Sequence, residues 1–103
     1  LSVVIPTLGR PILIQTLQSL ARTEGFDRLE VLIAGLITDA DVRAAVQSLC
    51  AQYPNIRQLE VAFGRGDSSA KKNAGWRAAQ SELIAFIDDD VVVARNWPEK
   101  IVE

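Results

Sequence analysis

Histidine and methionine are both absent from the 103 residues, and cysteine occurs once, at Cys50. The lack of histidine removes the commonest general base and metal ligand from this segment. A lone cysteine cannot close an internal disulfide, which points to a reducing, cytoplasmic compartment. No apolar run approaches the ~20 residues that span a bilayer, and the first residues do not resemble a signal peptide. Neither sign of charge is in excess: 11 basic against 13 acidic residues leave a net charge of −2. That balance offers no footprint for a nucleic-acid backbone or an anionic membrane surface. With no methionine, Leu1 opens straight into a strand-like run, and Glu103 falls within what reads as a starting helix. The expectation is therefore a piece of a longer polypeptide, whose other regions would make any membrane association.

What is present is enough apolar material for a core. The chain is 49% hydrophobic and 23% charged, which fits one folded domain over 1–103 and excludes a disordered segment. "LSVVIP" is a short β-branched run closed by Pro6, the pattern of a strand buried on both faces. Pro11 suits the first turn of a helix, and Leu13, Leu17 and Leu20 follow at helical spacing before Gly25. "LEVLIAGL" reads as a second strand. Thr38 or Asp39 can cap the next helix, whose apolar stripe is Val42, Val46, Leu49 and Tyr53 and which "YPN" ends. "IRQLEVAF" is a third strand, with Leu59, Val61 and Phe63 alternating. "GRGDSS" is a loop; Ser68 or Ser69 can cap a third helix with a flat face of Ala70, Ala74 and Ala78. "ELIAFI" is the fourth strand. This alternation implies an α/β unit with right-handed crossovers and a mainly parallel sheet covered by helices. Ligands of such sheets bind beyond the carboxyl ends of the strands, where "PTLGR", "GLITD", "GRGDSS" and "DDD" all fall.

The last of these carries the most chemistry. Asp88, Asp89 and Asp90 follow an apolar strand directly, and their mutual repulsion has to be relieved. Single aspartates after strands are ordinary turn residues or caps. Three together fit a hard divalent cation, Mg²⁺ or Mn²⁺, which takes oxygens from carboxylates and substrate phosphates. In an extended backbone Asp88 and Asp90 project to one side and Asp89 to the other. The Arg65-Gly66-Asp67 tripeptide reads as a flexible loop, not an adhesion signal. That loop also lacks the spacing of a phosphate-binding fingerprint.

"FIDDD" after a strand resembles the D-x-D motif of the nucleotide-sugar glycosyltransferases of GT-A fold, family 2 in particular. "VVIPTLGRP" resembles that family's opening strand. "AKKNAGWRAAQSELIAFIDDD" resembles its run of basic residue, Asn, Gly, helix, strand and motif, and Trp97 falls where a Trp commonly follows. The resemblance implies a Rossmann-like, mainly parallel sheet with helices on both faces. It also implies a metal-dependent transfer, inverting in type, from a nucleotide-diphosphate sugar to a sugar, lipid or protein acceptor, as in polysaccharide biosynthesis. By that resemblance Asp90 is a metal ligand, and Asp88 shares the metal environment or meets the ribose. Pro6, Thr7 and Arg10 line the nucleotide pocket. Lys72, in the place of the usual Arg, and Asn73 contact the donor, and Asp89 joins the donor-binding set. Gly75 is a packing residue. The catalytic base belongs to an acceptor half beyond Glu103, so the 103 residues alone would bind and not turn over.

The match fails after the second strand, where the family usually has an aspartate pair that reads the base and this chain has Gly35 and Leu36. Selectivity for uridine should weaken, unless Asp39 or Asp41 reaches in. A degenerate binding or scaffold module is the alternative this favours. A nucleotidyltransferase would need a Gly-rich, Arg- and Lys-containing loop after the first strand, which "PTLGRP" does not supply. A receiver-type phospho-acceptor domain would need an acidic pair where Pro6 and Thr7 stand.

Overall fold

The computed structural model describes residues 1–59 and 75–90. Four strands, β1 (Ser2–Pro6), β2 (Glu30–Ala34), β3 (Ile56–Leu59) and β4 (Ile84–Phe86), form one sheet in the order β3-β2-β1-β4. All three pairings are parallel, with Val4 opposite Leu32 on one side and Phe86 on the other. Helix α1 (Ile12–Ala21) and helix α2 (Ala40–Gln52) make the first two crossovers, and residues 75–78 are helical ahead of β4.

Side-chain alternation divides the sheet into two faces. Val3, Ile5, Val31, Ile33 and Ile56 meet Leu13, Leu17 and Leu20 of α1 and Val42 and Val46 of α2 in one buried cluster. Phe26 and Tyr53 close its edge in a T-shaped contact, with ring centroids 5.2 Å apart. Val4, Leu32 and Ala34 are buried on the opposite face. There Gly75 lies against Val4: a Cβ on Gly75 would stand 2.2 Å from Val4 Cγ1. The 75–78 turn therefore sits on the sheet only because residue 75 has no side chain. Among the described residues, α1 and α2 cover the first face and the 75–78 turn lies on the second.

The helix signals act as capping chemistry requires. Asp39 is the N-cap of α2 and accepts from the backbone N–H groups of Asp41 (2.9 Å) and Val42 (3.1 Å). Gly25 takes a left-handed φ of 77° and turns the chain into a short 3-10 helix at Phe26–Arg28. Two strands are shorter than their apolar runs. β2 stops at Ala34 because Gly35 leaves the extended region, and β4 keeps three residues as the strand beside β1, with Leu83 exposed at its start. The second half of the expected third strand (Val61, Phe63), the Arg65–Asp67 loop, Ser68, Ser69, Ala70, Ala74 and Trp97 lie outside the described residues. Among the described residues, no helix is long and apolar enough to cross a membrane.

At the amino end of the sheet the Glu30 carboxylate is saturated by donors. It accepts from Ser2 Oγ (2.7 Å), Gln80 N–H (2.8 Å) and Arg57 Nη2 (3.0 Å). Burial alone would raise its pKa; the bonds from Gln80, Ser2 and Arg57 outweigh that and hold it below the ordinary 4.5. A carboxylate with a depressed folded pKa stabilises the fold above its unfolded pKa and loses that contribution as pH falls through the folded value. Urea unfolding should therefore show stability declining below about pH 4.5, and Glu30→Gln should flatten that decline. A second check concerns Gly75. Gly75→Ala should destabilise by about 1–3 kcal/mol through overpacking, and Val4→Ala in the same chain should recover part of the loss in a double-mutant cycle.

Candidate functional site

Strand β1 lies between β2 and β4. The chain steps outward from β1 to β2 and β3 and then returns to the other side of β1 as β4. The carboxyl ends of β1 and β4 thus flank the point where the winding reverses, which is where open parallel sheets form their crevice. Thr7–Arg10 and Asp88–Asp90 are the two segments that leave the sheet at that point.

β1 ends at Pro6, which is half-buried, and Thr7 N–H then donates to Ala34 O at 2.9 Å. The buried Thr7 hydroxyl donates to Asp89 Oδ2 (2.8 Å) and accepts from Gly9 N–H (2.9 Å), so it is fully used. Arg10 Nη2 donates to Asp89 Oδ1 at 2.7 Å, from a side chain that is 53% exposed against 7% for Asp89. From α1, Thr16 Oγ1 donates to the Asp89 carbonyl at 2.8 Å. Each of Asp89's three oxygens thus has a donor from the β1–α1 segment. Asp89 raises the Arg10 pKa, first through the hydrogen bond and then through its charge; the charge of Asp90 adds to this. The guanidinium, cationic as arginine always is, is thus paired with the acidic turn.

Asp88 and Asp90 are exposed, on either side of the buried Asp89. Ladder pairing persists just short of them, where Ile87 N–H donates to Val4 O at 3.1 Å, and the chain then turns at Asp89 and Asp90. The exposure of the three aspartates alternates as in an extended segment. Its cause is the clasp on Asp89 and not strand geometry. Among the described residues, Asp88 and Asp90 have no side-chain hydrogen bond or ion pair, and no cluster of three or more His, Cys, Asp or Glu side chains is built to enclose a metal. Two free carboxylates nonetheless fit Mg²⁺ or Mn²⁺, which typically take one or two carboxylates and complete their shells with substrate phosphates and water.

The neighbouring loop after β2 is held by other means. Arg43 donates to the carbonyls of Ile37 (3.2 Å) and Thr38 (3.3 Å). Gly35, at φ 154°, presses on β1: a Cβ there would stand 2.2 Å from Thr7 O. No side chain fits at position 35. One Asp39 oxygen is occupied as the α2 cap, and Leu36 and Leu8 are exposed apolar side chains at the rim of this end of the sheet. Lys72 and Asn73 lie outside the described residues.

Thr16 is the site residue that sequence reasoning missed. Its signal was present: with Leu13, Leu17 and Leu20 it occupies the buried side of α1, and a hydroxyl there requires a hydrogen-bond partner.

A model of the family described as glycosyl transferase family 2 matches residues 2–103. The chain belongs to glycosyltransferase family 2. It is 30% identical over 99 residues, 94% of its length, to the succinoglycan biosynthesis protein ExoM of Rhizobium meliloti. It is 27% identical over 90 residues, 87% of its length, to the GalNAc(5)-diNAcBac-PP-undecaprenol beta-1,3-glucosyltransferase of Campylobacter jejuni. These matches span 32% and 29% of the two relatives, so the chain corresponds to under a third of each. Among solved structures, it superposes with a TM-score of 0.73 on the mannosyltransferase PcManGT of Pyrobaculum calidifontis, in complex with GDP-Man and Mn2+. That match has 24% identity and covers 91% of this chain and 28% of the other; it establishes the shared fold.

The clasp separates structural from exposed carboxylates in this family 2 domain. Asp89→Ala should lower the unfolding free energy by about 1–3 kcal/mol, the usual result of stripping partners from buried polar groups. Asp88→Ala and Asp90→Ala should each change it by no more than about 0.5 kcal/mol, as exposed substitutions do. Urea denaturation of the three variants measures both.

Proposed function

We propose that these residues form the donor-binding unit of a glycosyltransferase, which takes a nucleotide-diphosphate sugar with the help of Mn²⁺ or Mg²⁺. The observation that carries this is the pair of free carboxylates, Asp88 and Asp90, exposed on either side of a buried, clasped Asp89 at the switch point of the sheet. The Mn2+ and GDP-Man of the P. calidifontis structure support it. Asp90, with Asp88, would hold the cation beside the diphosphate. When bound, that ion supplies Lewis-acid stabilisation of the departing diphosphate. Pro6, Thr7 and Arg10 would line the nucleotide pocket, and Lys72 and Asn73 would contribute as point charge and hydrogen-bonding group. An inverting transfer also needs a carboxylate base, which we assign to a region outside these 103 residues. The acceptor is a sugar, lipid or protein; the name of the C. jejuni relative supports a lipid-linked saccharide, and the lone Cys50 favours a cytoplasmic setting.

One observation favours a second reading, a scaffold that has lost its donor. The contact of Gly35 with Thr7 leaves no room for a base-reading carboxylate at that position. On this reading the base is left without its acceptor and the domain no longer holds a nucleotide.

Calorimetric titration of the full-length protein with UDP, GDP and dTDP, with and without Mn²⁺, tests both. The donor-binding reading expects Mn²⁺-dependent binding of at least one nucleotide, lost in Asp90→Asn while the melting temperature is kept. Absence of metal-dependent binding to all three nucleotides would instead count heavily for the scaffold.

A further inference from the structure

The acidic turn poses a mechanical problem. Three adjacent carboxylates repel one another by about 1–4 kcal/mol per close pair at surface dielectrics, which drives a flexible turn open. Two exposed oxygen donors cannot hold a fixed separation on such a turn without an anchor between them. The chain provides one at a single residue. Asp89 Oδ2 takes the Thr7 hydroxyl, Oδ1 takes the Arg10 guanidinium, and the carbonyl takes the Thr16 hydroxyl. The carboxylate bonds fix the side chain, and the carbonyl bond fixes the peptide plane between Asp89 and Asp90. Asp88 and Asp90 are each one peptide, about 3.8 Å between Cα atoms, from that anchor.

We propose that Asp89 is the positioning residue of this turn, and that Thr16, acting through the Asp89 carbonyl, sets where Asp88 and Asp90 present their oxygens. Thr7 and Arg10 complete the clasp. The proposal deepens the donor-binding reading and rests on it only for its consequence in binding. The geometry of the clasp stands without a ligand.

Thr16 is the residue to test, because it is buried in α1, away from the exposed rim, and touches the turn through one hydroxyl. In the full-length protein, Thr16→Val keeps the shape and removes the donor, and Thr16→Ser keeps the donor. Without ligand, ¹⁵N relaxation at the amides of Asp88 and Asp90 should give order parameters near those of rigid backbone, about 0.85, in the wild type and in Thr16→Ser, falling towards about 0.6 in Thr16→Val. In calorimetry, Thr16→Val should weaken Mn²⁺-dependent nucleoside diphosphate binding by roughly fivefold, the loss of one ordinary hydrogen bond. Metal-free binding should stay as in the wild type, and Thr16→Ser should restore the metal-dependent part. Unchanged order at Asp88 and Asp90 in a folded Thr16→Val protein overturns the proposal whatever the ligand does. Loss of order without any Mn²⁺-dependent binding in the wild type upholds the clasp and fails the donor-binding reading instead. Should Thr16→Val not fold, Arg10→Gln, at a half-exposed position, takes its place in the ligand-free relaxation measurement, where lost order at Asp88 and Asp90 upholds the clasp and unchanged order overturns it.

Discussion

A carboxylate taken out of water must find enough donors to replace its hydration, and Asp89 finds them in the segment that follows β1. Desolvating a carboxylate costs several kcal/mol, so a buried acid persists only where charge and hydrogen bonds both answer it. Here the answer comes from Thr7, Arg10 and Thr16, all within ten residues of one another in sequence and about eighty residues from Asp89. That contact fastens the end of β4 to the loop and helix after β1. It decides which carboxylates remain for solvent or a ligand. Without it the acidic turn would be a charged loop at the edge of a sheet.

The two ends of the sheet solve the same electrostatic problem to different effect. At the amino end the Glu30 carboxylate is saturated by Ser2, Gln80 and Arg57. At the carboxyl end both carboxylate oxygens of Asp89 are also answered, but among the described residues its two exposed neighbours have no side-chain partner. Among the described residues, two exposed carboxylates thus stand where parallel sheets gather their ligands. A binding site for a cation and a diphosphate needs that asymmetry, and a purely structural carboxylate cluster does not.

Membership of glycosyltransferase family 2 agrees with the architecture, while the loop after β2 departs from the family's usual pattern. Gly35 is confined by the Thr7 carbonyl, and Asp39 is engaged as a helix cap. The strand ends approach so closely that position 35 has no volume to give.

Much of this could be read from the sequence, because much of it is local. Strand and helix alternation, the Pro11 start of α1, the Asp39 cap and the apolar stripe of Leu13, Leu17 and Leu20 follow from periodicity and capping chemistry over a few residues. Gly75 as a packing position, and the acidic turn as the unusual feature, were equally visible. The lengths of β2 and β4 were not, since strand ends depend on where a neighbour stops pairing. Nor was Thr16, whose partner lies 73 residues away. The sequence by itself determined the parallel α/β unit and brought three aspartates to the end of a strand. Only the tertiary structure decided which of the three is bound inward and which two are left to act, because that choice depends on donors brought together by the sheet and not by the chain.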